Sequence, residues 1–446
     1  MTPLPTTALS GDAVVLCSFF VLLVPLAAGG IALINTGLGR SRSAAHSMLS
    51  SLCVVAIAAI VYFLCGSAWQ GFAGRPAHVF LFGGREWNWL AAEPFFLRGL
   101  RVEDSAATLV VLLQMFSVGL AALIPLGSGA DRWRLGARCA STALLAGWTY
   151  PLFAHWVWGG GWLAQLGSNY GVGRGFIDAG GSGTIQSLGG LSALAIAWIL
   201  GPRRGKYGRN GMPAAIPGHN SVLVLFGSML ALVGWSGLNI SGAILFAGSE
   251  PARAPSIAIN TLLAASAAGM AVVLLTRFRF GKPDASLTAN GWVGGLAASS
   301  AGCAFVTPVS AVLIGLMAGV LVVFAIELLE WRLTVDDPGG SIAAHAVGGL
   351  WGLLAVGIFA RFPGQRPYSA YAPESGMSGQ WLAQLVGIAT LLGLMLPLIY
   401  LLNWLLNRVY PLRVAAEGES QGMDLHELGA DAYPEFATHT DDYGQH

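Results

Sequence analysis

Long apolar runs separated by short segments rich in Gly, Pro and charge are the dominant pattern of the chain. A helix that crosses the hydrocarbon core needs about 20 apolar residues. Eleven runs qualify approximately: 12–36, 45–69, 106–126, 137–158, 180–201, 220–247, 256–276, 286–303, 307–329, 341–361 and 379–406. The pattern therefore predicts an all-α integral membrane protein with eleven transmembrane helices. The longest connection, about 70–105, holds Arg75, Arg85, Glu86, Glu93, Arg98 and Arg101 and is expected to fold outside the membrane. After about residue 408 the composition turns polar and acidic up to His446. The economical partition is a transmembrane domain, 1–408, and a C-terminal tail, 409–446.

Composition narrows the class further. Of 446 residues, 55% are hydrophobic and 10% charged, against about 25% charged in an average soluble protein. So few charges cannot cover a water-facing surface, which excludes a soluble enzyme, a nucleic-acid binder and a disordered chain. The 61 Gly and 15 Trp agree, because Gly is frequent in membrane helices and Trp at their interfaces. A net charge of +1 points to no partner, and no basic run is long enough for DNA or RNA. No Lys or Arg precedes Arg40, so the first apolar run is expected to be a retained helix and not a cleaved signal peptide. Placing the N-terminus outside assigns 15 of the 23 Lys and Arg to the inner side and 8 to the outer. Positive-inside bias then puts the tail in the cytoplasm, beneath a cell (inner) membrane crossed many times. The five cysteines, Cys17, Cys53, Cys65, Cys139 and Cys303, lie in apolar runs without a CxxC pair or metal spacing. They are read as small buried hydrophobes, and no metal or cofactor is expected.

An internal repeat indicates where the chemistry sits. Asp178 opens DAGGSGTIQSLGGL and Asp337 opens DPGGSIAAHAVGGL. In both, a polar residue stands eight positions after the Asp and GGL begins three beyond it, so Gln186 corresponds to His345. These are the fifth and tenth runs, which enter from opposite sides of the membrane. Opposed copies are the mark of an inverted repeat, whose substrate path lies at the interface of its halves. The GG pairs alone equally permit close helix packing. Polar side chains at membrane depth are costly and functional by default; an imidazole and an amide, each with a donor and an acceptor, can hold a small polar solute. Both aspartates read first as helix N-caps, and an outward-facing Asp178 can also draw cations.

At these residues the chain resembles the ammonium transporter family (Amt/Mep/Rh), as a divergent member. FAHWVWGGGWL at 153–163 is similar to the end of that family's fourth helix, with Trp158 at the place of its external-site tryptophan. DAGGSGTIQSLGG resembles its fifth helix and GWSGLNISG at 234–242 its sixth. NGWVGGLAASSAGCAFVTP at 290–308 and DDPGGSIAAHAVGGLWG at 336–352 match its eighth and tenth, and EGESQGMDLHELGADAY at 417–433 its cytoplasmic signature. The resemblance implies a homotrimer, an inverted repeat of helices 1–5 and 6–10 with a long eleventh helix, and a narrow hydrophobic pore in each subunit. It also implies a PII-type nitrogen signalling protein as a partner at the cytoplasmic face. Where the family pore holds two histidines, this chain keeps His345 and has Gln186. Where two stacked phenylalanines are usual, it has Leu238 and Ser117, with Phe116 beside the latter, and Gly242 replaces a usual serine. Trp158, Asp178, Asn239 and His345 are retained.

The resemblance implies channel-like passage of ammonium or ammonia. Cation–π contact with Trp158 would hold the cation at the mouth, worth roughly 0.5–2 kcal/mol. Bare ammonium then meets a large desolvation cost in an apolar pore, which favours its deprotonation. Two imidazoles relay a proton near neutral pH, whereas an amide does not, so Gln186 interrupts a histidine–histidine relay. Two alternatives stay open: an ammonium-binding sensor or regulatory protein with little transport, and passage of another small neutral molecule such as carbon dioxide. A membrane enzyme is disfavoured, because His345 has no nearby ligand set and no nucleophile–base motif occurs. In the tail, Glu417, Glu419, Asp424, Glu427 and Asp431 are expected to face basic loops that carry Arg203, Arg204, Lys206 and Arg209.

Overall fold

The structure is a computed structural model that describes residues 9–71, 77–101, 103–362 and 379–434. Arg75 and Arg366 of the loop count, and residues 435–446 of the tail, lie outside them. Helical rods occupy all eleven apolar runs: α1 (Gly11–Leu38), α2 (Ser41–Gln70), α3 (Ser105–Ser128), α4 (135–157), α5 (Ser182–Leu200), α6 (Ser221–Leu245), α7 (Pro251–Phe280), α8 (Ala285–Ser300), α9 (Pro308–Arg332), α10 (Ile342–Phe359) and α11 (Gln380–Val409). Nine are long and apolar enough to cross a membrane by length and composition. The other two are α4, whose first turns carry Arg138, Ser141 and Thr142, and α8, whose 16 residues span only about 24 Å at 1.5 Å per residue.

Local chemistry sets where several rods begin. Asp104, Asn220 and Asp284 accept from the amides of Ala107, Leu223 and Leu287, each three residues on, at 2.8–3.1 Å. These caps satisfy donors that a helix end leaves open. Rods alternate in direction, so one face of the bundle carries the 71–104 connection and the other carries the C-terminal segment. Helices α1 and α6, the first rod of each half, run side by side with Gly30, Gly227, Gly234 and Gly237 along the seam. A Cβ on Gly30 would stand 2.7 Å from the Ala231 nitrogen. Small residues let backbones approach where no water drives association.

The two copies of the repeat obey the same local rules from opposite faces. Helix α5 begins at the face of the 71–104 connection and α10 at the face of the C-terminal segment. The Asp178 carboxylate accepts from the Gly183 amide at 3.0 Å, and the Asp337 carboxylate from the Ile342 amide at 2.7 Å, five residues on in each case. Gly181 and Gly340, three residues after their aspartates, hold φ of +91° and +62°, a conformation that costs glycine no Cβ clash. A wide turn with i→i+5 hydrogen bonding follows in each, Ser182–Ser187 and Ile342–Val347. Gly190 then packs on Ala346, and Gly349 on Ser182 and Ser187. This reciprocal pairing brings α5 and α10 together at the centre of an inverted repeat of α1–α5 and α6–α10, with α11 added.

The structure adds one element to the expected set and changes one expectation. The 70–105 connection contains an antiparallel hairpin, β1 (Ala77–Phe82) and β2 (Arg85–Ala91). Its turn is Gly83–Gly84, with φ of +60° and +73°, the positive-φ pair that a tight two-residue hairpin turn requires. Among the cysteines only Cys17 and Cys303 are buried; Cys53, Cys65 and Cys139 are half-buried. In a lipid-facing helix an apolar position need not point inward, so burial does not follow from the run.

Candidate functional site

Where α5 and α10 meet, the His345 Nδ1 lies 2.8 Å from the Gln186 Oε1. Both side chains are buried, Gln186 at 0% and His345 at 3% exposure. The hydrogen bond admits two proton arrangements. With the amide oxygen against Nδ1, that nitrogen donates and Nε2 is an acceptor. With the amide turned, Nδ1 accepts and Nε2 carries the proton. In the first arrangement the Gln186 Nε2 is a buried donor without a partner. Such a group is costly in an apolar surround and calls for a reason. Either way the pair keeps at least one spare donor and one spare acceptor. The Trp235 ring lies nearly parallel to His345, 6.2 Å between centroids, and its Nε1–H donates to the Ser300 hydroxyl. Trp235 lies inside the GWSGLNISG motif, where an indole in an apolar run reads equally as helix packing.

Toward the hairpin face, the Trp158 Nε1–H donates to the Asp178 carbonyl at 2.7 Å. The Asp178 carboxylate is turned away from solvent and accepts from the amides of Gly183 and Thr184 and from the Thr184 hydroxyl at 2.7–3.0 Å. Thr184 is thus a partner that the motif reading did not single out. Asn239 is held elsewhere, its Nδ2 donating to Thr261 and Ser299 at 2.9 and 3.2 Å, with its Oδ1 beside Gly180. Leu238 and Ser117 are fully buried, and the half-buried Phe116 stacks on no other ring among the described residues. The ring that does lie on Trp158 is Phe246, face to face at 4.4 Å. No signal marked it, since a Phe at the end of an apolar run reads as lipid-facing.

At the opposite face, segment 416–428 closes over the loops. The Glu419 carboxylate accepts from the Arg204 amide at 2.7 Å and from Arg413 at 2.8 Å. Asp424 caps the start of α2 through the Ala45 and His46 amides at 3.1 and 2.7 Å. Glu427 meets the His46 Nε2 at 2.7 Å and the Leu135 amide at 2.8 Å. Burial pushes the Glu427 carboxyl up, but the hydrogen bonds from His46 and Leu135 outweigh it and hold it below the usual carboxylate range. Two cations expected opposite the tail are engaged elsewhere. Arg203 makes paired bonds to Asp336 at 2.9 and 3.0 Å and one to Asp131 at 3.1 Å, and Lys206 pairs with Glu330. A buried guanidinium must be paired or hydrogen-bonded to offset its lost hydration, and the acids that pair with Arg203 lie in other loops. Burial raises the Asp336 carboxyl, yet Arg203 and Arg132 bring it below its ordinary value. Among the described residues no group of three or more His, Cys, Asp and Glu is placed to hold a metal ion.

Known proteins are similar to this chain in sequence and fold. The model of the ammonium transporter family matches residues 13–433. Ammonium transporter Amt2 of Archaeoglobus fulgidus is 35% identical over 94% of this chain and 87% of its own length. The ammonium transporter of Bacillus subtilis is 30% identical over 93% and 96%. Among solved structures, one described as a sensor Amt protein superposes with a TM-score of 0.81 at 29% identity, covering 93% of this chain and 97% of that one. Mep2 of Saccharomyces cerevisiae gives 0.76 at 25% identity, covering 92% and 89%. With the family match running over nearly the whole chain and relatives 30–35% identical over more than nine tenths of it, the chain belongs to the ammonium transporter family.

Proposed function

We propose that this protein carries ammonium nitrogen across the cell membrane and that the species passing Gln186 and His345 is neutral ammonia. The carrying observation is the buried 2.8 Å bond between them, with the amide nitrogen left over. Ammonium has four N–H donors and no lone pair, so a spare amide donor repels it. Ammonia has a lone pair for the Gln186 N–H and N–H groups for the spare acceptor of the pair. Potassium has no N–H to recognise, and an apolar wall does not replace its hydration. The cation is first held outside, at Trp158, and gives up its proton to the external water there, because an amide in place of the second imidazole offers no onward relay.

The partition of 15 inner against 8 outer cations supports an outer N-terminus and a cytoplasmic tail. A homotrimer with a PII-type partner at the tail face completes this reading. The test is uptake of labelled methylammonium into proteoliposomes. Saturable uptake by the native protein and its loss in His345→Ala are expected, and a native rate equal to that of the variant or of empty vesicles would refute it. A second reading, a binding sensor with little flux, is favoured by the interrupted relay and by the relative described as a sensor. Tight binding without uptake would select it.

A further inference from the structure

Helix α6 ends at Phe246, whose amide still donates to the Gly242 carbonyl at 2.8 Å. Its phenyl ring lies on the Trp158 indole with 4.4 Å between centroids and 11° between planes. Among the described residues no other ring pair is as close or as flat. The indole is meanwhile held edge-on by its bond to the Asp178 carbonyl, so its orientation is fixed independently of the phenyl.

Gly242 explains how the ring arrives there. A Cβ at 242 would collide with the Ala179 carbonyl and stand 3.3 Å from the Gly180 Cα. Glycine therefore lets α6 close onto the 179–180 segment. Position 246 is four residues further on the same helix face, and the close approach carries it onto Trp158. Gly242 and Phe246 act together at the outer end: the glycine lets the helix touch the 179–180 segment, and the ring lies one turn later. Gly248 follows at φ +63°, where the chain turns out of the helix.

Two rings at this spacing are in contact, and no ion fits between them. Each face of an indole attracts a cation, and the phenyl covers one of the two on Trp158. We infer that Phe246 is a lid of the outer site that sets its affinity, competing with the arriving cation for this face of Trp158. This rests on the reading of Trp158 as the recruitment site. Ammonium must displace the ring, so the resting site binds more weakly than an open indole would.

The test measures binding of ammonium by titration calorimetry on the full-length protein in detergent, with labelled methylammonium uptake recorded in parallel. Phe246→Leu and Phe246→Met remove the ring while keeping an apolar side chain, and Phe246→Tyr keeps it. The first two are expected to bind about two- to tenfold tighter, the range a ring stack contributes, and Phe246→Tyr to bind as the native protein does. The gain should vanish when Trp158→Leu is added. Unchanged affinity would overturn the proposal by placing the cation elsewhere, and weaker affinity would overturn it by making the phenyl part of the cation's cage. Absence of binding in every variant overturns it too. Binding with no uptake in the native protein would remove the transport reading alone, since the affinity comparison needs no flux.

Discussion

Gln186→Leu removes the amide from the centre of the bundle at nearly constant volume. Two terms oppose each other in stability. The His345 Nδ1 loses its 2.8 Å partner, and a buried polar group left unpaired costs about 1–3 kcal/mol. The variant also removes the Gln186 Nε2, already a buried donor without a partner, which returns a similar amount. The net change in folding stability is therefore small, within about 1 kcal/mol. Flux has no such compensation. If ammonia accepts a hydrogen bond from the amide at the constriction, losing that bond raises the barrier by about 0.5–1.5 kcal/mol, and about 1.4 kcal/mol is a factor of ten in rate. Initial rates of labelled methylammonium uptake should fall up to about tenfold, while the unfolding midpoint of the detergent-solubilised protein moves by a few degrees at most. An unchanged rate would refute the role given to the amide. A collapse of the midpoint would show Gln186 to be structural glue between α5 and α10.

Three further outcomes are expected. Gly190→Ala places a Cβ 2.7 Å from the Ala346 Cα, so α5 and α10 must separate; overpacking of this kind costs about 1–3 kcal/mol, and uptake should fall with the unfolding midpoint. Arg203→Ala removes the guanidinium shared by Asp336 and Asp131, leaving Arg132 and Arg40 3.6 Å from them. Breaking a buried pair costs about 3–5 kcal/mol, and Arg203→Lys should rescue only part of the thermal stability, since a point charge does not reproduce the fork. Glu427 has a folded pKa below its unfolded one, so its contribution to docking is present above about pH 4.3 and is lost as pH falls through the lower folded value. His46, Arg134 and Arg138 face it. Protease protection of segment 416–428 should persist from pH 7 to 5 and disappear only in stronger acid, and Glu427→Gln should weaken it throughout; protection lost at pH 6 would contradict the assignment.

The helix positions were legible because an apolar run of membrane length has no other stable backbone solution in lipid. The pair at the centre was legible for a different reason. Asp178 and Asp337 stand at matching distances from Gln186 and His345, and the glycines between them have a shared backbone task, so duplication shows in the letters. Partners joined across the fold were less legible. The charge of Arg203 and Lys206 pointed to an acidic partner, but the acids that hold them, Asp336, Asp131 and Glu330, are distant in sequence and compete with the tail. The hairpin was hidden by its mixed run of aromatic and charged residues, although Gly83–Gly84 between two apolar stretches carried the turn. Phe246 was hidden most completely. Its role depends on Gly242 admitting the Ala179 carbonyl, a contact between helices that no local pattern encodes.

The most direct test of ammonia passing a Gln–His pair is simultaneous recording of labelled methylammonium uptake and ammonium-evoked current on supported membranes, for the native protein and for Gln186→His. Uptake with little charge movement is expected in the native protein, with a larger current once the second imidazole is restored. A native current equal to that of Gln186→His, at equal uptake, would contradict the proposal that the amide halts the proton.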